Sequence, residues 1–137
     1  MNNLLVVSTL FLLFPIIIFY KKNNKNIYEI ILAALLCINI ILSSLFWIEP
    51  IKNYKIHNYD KIFAKISAIL FTIYILFIKN IKNLYKLIFL IILLFSLLSF
   101  FYSNKCSSET WCSNNHILCH FIFHIFISIG CLFAFIT

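Results

Sequence analysis

The chain has 137 residues, 64% of them hydrophobic and 11% charged, with a mean hydropathy of +1.03. A soluble domain of this size cannot hide that much apolar surface, and one glycine with two prolines excludes a loop-rich or low-complexity chain. The net charge of +7 comes from eleven basic residues, all lysine, most of them in short stretches between apolar runs. That is the chemistry of loops at a membrane face, and it excludes a folded nucleic-acid-binding surface.

The first apolar run covers residues 4–20 and is interrupted only by Pro15. Its positive cluster follows it, and it shows no small-residue cleavage site, so it is expected to stay as a helix and not to be removed as a signal peptide. The second run covers 27–48. The third covers 62–78 and contains Lys65, whose long stem can carry its ammonium back to the interface. The fourth covers 84–102 and the fifth 117–136. Runs of roughly 17–22 residues match the length an α-helix needs to cross ~30 Å of hydrocarbon. They are continuous, whereas barrel strands alternate. The expected fold is all-α, an integral membrane bundle of about five transmembrane helices forming one domain over residues 1–137.

Loop charge sets the expected orientation. Lys21, Lys22 and Lys25 follow the first run, and Lys79, Lys82 and Lys86 follow the third. The positive-inside rule puts both loops in the cytosol, the N-terminus outside or lumenal, and the C-terminus in the cytosol. Loops 49–61 and 103–116 then share the outer face, which gathers His57, Asp60, His116 and His120 on one side. Glu29 falls near the other face, and Glu49 stands beside Pro50.

Polar residues recur at helical spacing. Asn39, Ser43 and Trp47 share one face of the second helix, and Asp60, Ala64 and Ser67 one face of the third. Small and hydroxyl residues on such faces let membrane helices approach, so bundle packing accounts for them individually. Of the five cysteines, Cys37 and Cys131 lie in apolar runs and act as small hydrophobes. Cys106 and Cys112 share the fourth loop, where a disulfide is expected if the membrane belongs to the secretory system. A metal beside the histidines is the lesser alternative for Cys112 and Cys119.

His116, His120 and His124 stand four residues apart, and Ser128 continues the column. Such positions lie one above the other on a helix. Ionisable groups on an apolar helix usually face a partner, a cavity or a metal. His120 and His124 have the spacing of a helical zinc pair, and Asp60 is the acidic residue best placed to join them. The plain alternatives are that Asp60 caps the third helix, that His116 sits idle at the interface, and that His120 and His124 bond serines or carbonyls of neighbouring helices.

The segment HFIFHIFISIGCLFAF from His120 to Phe135 resembles the last helix of the haemolysin III and adiponectin/progestin receptor group, with its H-x-x-[FW]-H start. SSLFW at Ser43–Trp47 and HNYDKIFAKISAI from His57 resemble the S-S-x-[FY]-H and L-D-x-x-x-I segments of that group. With the alkaline ceramidases these families form a superfamily of seven-helix membrane hydrolases. The resemblance covers residues 43–67 and 116–136. It implies that His120 and His124 bind zinc, that Asp60 acts on the zinc-bound water, and that Ser43 takes the place of the second-helix serine. Two departures stand out. The remaining zinc-binding histidine falls at Trp47, and five runs replace seven helices. His57 or His116 is the available substitute ligand.

Three functions follow as expectations. The first is a zinc-dependent hydrolase of lipid amides or esters, with Asp60 as base or water-positioning group. The second is a non-enzymatic accessory or assembly protein acting through helix contacts, which the tryptophan at position 47 favours. The third and weakest is a proton path lined by histidines. The expected partners are the bilayer, a lipid substrate, and a membrane protein or a second copy of the chain.

Overall fold

The computed structural model describes residues 2–136. The first span is α1 (Asn2–Thr9), a 3-10 turn at Leu10–Leu12, and α2 (Leu13–Lys21). The interruption follows from Pro15, which has no N–H to give the Phe11 carbonyl one turn back. The hydroxyl of Ser128, on the last helix, donates to that carbonyl at 2.6 Å.

Next come α3 (Ile27–Ile48), α4 (Lys55–Ile73) with a π-helical turn at Tyr74–Ile78, α5 (Asn83–Glu109) and α6 (Asn114–Phe135). No strand occurs among the described residues. Five helical segments are long and apolar enough to cross a membrane. The all-α fold with five candidate spans is therefore the one expected.

Two boundaries differ from the apolar runs. α4 begins at Lys55, seven residues before the run at 62, with Tyr54 at its N-cap. Asp60 is thus inside the helix and does not cap it. α5 continues to Glu109, past the run's end at 102, so the fourth loop shrinks to residues 110–113. Hydropathy marks where a helix leaves hydrocarbon, and these helices continue beyond that point. Buried Ser103 and Cys106 hold the extension of α5, and Ser107 and Ser108 turn their hydroxyls back onto its own carbonyls. Cys106 is therefore helical, and all five cysteines are free thiols, so the expected Cys106–Cys112 disulfide is absent. Burial raises the Cys112 thiol above its usual value, the direction that disfavours the thiolate.

α6 packs against α5 on one side and against α1 and α2 on the other; α3 packs against α1 and α4. α4 and α5 are joined by a short loop yet do not pack along one another. The helices form an open arc in the order α5, α6, α1/α2, α3, α4. One core cluster, with Leu36, Phe71, Ile75, Phe89 and Phe135, lies toward the lysine-rich loops. The other, with Leu5, Phe46, Trp47 and Ile117, lies toward the opposite face.

Candidate functional site

The arc encloses a cavity of about 760 Å³. Its two ends differ chemically. Lys52, His57, Asp60, Lys61, Asn104, Trp111, His116 and His120 line one end, and Leu36, Phe71, Phe89, Ile92, Ile127 and Cys131 line the other. Residues of both α4 and α5 line it, and those two helices do not pack along one another. The volume is that of a ligand pocket, and a mostly apolar wall with a few polar groups is the usual composition of one.

His57 and His116 reach this cavity through matching local structures. Asn53 and Cys112 have positive φ, 65° and 57°. Each precedes a helix N-cap, Tyr54 and Ser113. The Asn53 N–H donates to His57 Nδ1 at 3.0 Å, and the Cys112 N–H donates to His116 Nδ1 at 3.2 Å. Ser113 Oγ accepts from the His116 N–H at 3.2 Å. This resembles a capping box with histidine in the place of Glu or Gln, except that the ring accepts from the residue before the N-cap and the Ser113 N–H goes to the Thr110 carbonyl. A ring nitrogen that accepts is unprotonated, so each neutral ring carries its proton on Nε2. The sequence offered His57 and His116 as substitute metal ligands. The caps make both rings donors from Nε2, a state that does not coordinate metal.

The rest of the column also ties helices together. His120 Nδ1 lies 3.2 Å from Ser103 Oγ on α5. His124 Nδ1 lies 2.6 Å from Ser8 Oγ on α1, and Ser8 gives its one proton to the Leu5 carbonyl at 2.7 Å. His124 therefore donates from Nδ1 and leaves Nε2 bare, as a metal-binding histidine would. Its ring centroid is 4.7 Å from that of His120. At the position where the resemblance implies a third ligand stands the indole of Trp47, 4.9 Å from His120 and 6.0 Å from His116 between centroids. Among the described residues no group of three or more His, Cys, Asp and Glu side chains is placed to hold a metal ion. The donor set does not fit the zinc centre that the resemblance implies.

Asp60 and Ser43 both line the cavity, Asp60 half-buried and Ser43 buried. The structure thus brings all six sequence-selected residues, Ser43, His57, Asp60, His116, His120 and His124, to the lining of one cavity. Asn39, from the same face of α3, donates to Ser67 of α4 and holds those two helices together.

Sequence reasoning missed Ser8, Ser103 and Trp111. Trp111 stands between the two capped histidines, with centroids 5.5 Å from His57 and 5.1 Å from His116, and its Nε1–H donates to the Pro50 carbonyl at 3.0 Å. It also missed a cluster at the opposite face. There Glu29 is 1% exposed and accepts from Lys22 at 2.7 Å and from the Tyr74 hydroxyl at 3.1 Å. Lys79 donates to the carbonyls of Phe133, Ala134 and Ile136 at the end of α6, and stands 3.8 Å from Glu29. Burial brings the Lys79 ammonium down to about 8; Lys22 adds to this and Glu29 opposes it.

No family model, curated protein or solved structure matches the chain.

Proposed function

We propose that this multi-pass membrane protein binds a single-chain amphiphile drawn sideways from the bilayer between α4 and α5. The observation that carries this reading is the cavity left open where those helices fail to pack, polar at one end and apolar at the other. The head group sits among the residues around His57, Asp60 and His116, and the chain runs toward Phe89 and Ile127. The positive-inside rule supports a cytosolic position for the Lys21–Lys25 and Lys79–Lys86 loops, and so an outer or lumenal position for the head group.

Binding without hydrolysis suits the residues present. Hydrolysis of a lipid amide or ester by the implied chemistry needs a third donor beside His120 and His124, and Trp47 offers none. The hydrolase reading keeps one supporting observation, the bond from His124 to Ser8 that leaves Nε2 free. Metal content of the purified protein separates the two readings.

Native mass spectrometry of protein released from mild detergent tests the binding. The wild type is expected to retain one amphiphile. Ala68→Trp, which fills the middle of the cavity from α4, is expected to lose it. Equal, ligand-free masses for both proteins overturn the proposal.

A further inference from the structure

We infer that the polar end of the cavity is an oxyanion site formed by Lys52, His57, His116 and Trp47, so that the bound amphiphile carries an acidic head such as a phosphate monoester. This rests on the amphiphile reading above for the tail, but the head-group argument stands on separate observations.

The first is the direction of the hydrogen bonds. His57 is 6% exposed and His116 3%. Backbone N–H groups occupy both Nδ1 atoms. The protons are therefore on Nε2, which has no partner among the described residues in either ring. The indole N–H of Trp47, a residue 1% exposed, is also buried without an acceptor. A buried donor left unpaired costs about 1–3 kcal/mol. Of the three, only the Trp47 N–H is fully enclosed without a partner; the two Nε2–H groups make no bond within the chain and are left for an acceptor in the cavity that both rings line.

The second observation is charge. Lys52 Nζ lies 5.5 Å from the Trp111 ring centroid and gives one hydrogen bond, to the Ser107 carbonyl at 3.3 Å. It stands close enough to act electrostatically on both capped histidines, and Lys61 acts on His57. Asp60 is the one carboxylate among the lining residues, against Lys52, Lys61 and Lys65. The N-termini of α4 and α6 open at this same end and add positive potential. The end thus offers N–H donors and net positive charge. A neutral hydroxyl head would leave donors unpaired, whereas an oxyanion accepts from several at once and forms the stronger, charge-assisted bonds.

The test uses full-length protein with ¹⁵N-labelled histidine in maltoside micelles. It is titrated separately with dodecyl phosphate, dodecyltrimethylammonium and inorganic phosphate. Dodecyl phosphate is expected to shift the Nε2–H resonances of His57 and His116 saturably, and the cationic amphiphile to leave them in place. His57→Phe with His116→Phe is expected to weaken dodecyl phosphate binding about tenfold or more. Should that variant fail to fold, the wild-type resonances still decide. Equal shifts with both amphiphiles overturn the oxyanion site and leave the amphiphile reading standing. Inorganic phosphate binding as tightly as dodecyl phosphate keeps the oxyanion site and removes the tail. No shift with any of the three overturns both.

Discussion

His57 and His116 occupy the helix position where a capping box usually carries Glu or Gln. Their signal was in the sequence, because Ser113-x-x-His116 has the box's spacing, and the unusual residue type concealed it. The four-residue column from His116 to Ser128 was fully legible, but its meaning was not. Spacing places side chains on one face and cannot say what faces them. The partners come from Cys112, Ser103, Ser8 and Phe11, which lie four to more than a hundred residues away. Trp47 is the residue on which the zinc expectation turns. Trp47→His places a third imidazole beside His120 and His124. If the resemblance to the zinc hydrolases extends to this site, elemental mass spectrometry should find about one zinc per chain in the variant and little in the wild type. Zinc in neither protein would confine the resemblance to sequence pattern. Equal zinc in both would mean that Trp47 does not mark the missing ligand.

Helix ends, more than helix interiors, separate the structure from the apolar runs. The cores of all five spans follow from length and hydropathy, because hydrocarbon demands an apolar helix surface. The polar extensions of α4 and α5 leave no such mark. The C-terminal end of α6 shows why an end needs chemistry of its own: its carbonyls have no further turn to accept from, and the Lys79 ammonium serves Phe133, Ala134 and Ile136. Lys79→Met should destabilise the protein by about 2 kcal/mol and speed hydrogen exchange at the end of α6. The sign of the pH dependence follows from the same residue. Its folded value of about 8 lies below the ordinary 10.5. Between those values the folded protein binds fewer protons than the unfolded chain, so this group makes stability rise with pH through that window. Thermal midpoints compared between pH 8 and 10 should show a rise in the wild type that is smaller in Lys79→Met. Identical slopes would show that Lys79 titrates normally.

Across the whole molecule, the helix count was readable and the arrangement was not. A short loop between α4 and α5 argues for antiparallel neighbours in contact. The two helices instead stand apart, with α6 holding α5 and α3 holding α4. Apolar residues of α5, Leu94 and Leu98 among them, are exposed, and in a hydrocarbon surrounding such a surface needs no protein partner, so apolar burial does not force the arc to close. The cavity that results is the basis of the proposed function. A photoreactive single-chain amphiphile, bearing a diazirine midway along its tail and cross-linked in liposomes, tests this most directly. Peptide mapping is predicted to place the label on cavity-lining Ala68, Ser96 and Phe126, ahead of the lipid-facing Ile69, Leu94 and Leu98. Uniform labelling of both sets would show that the amphiphile only bathes the helices, and would contradict a binding cavity between α4 and α5.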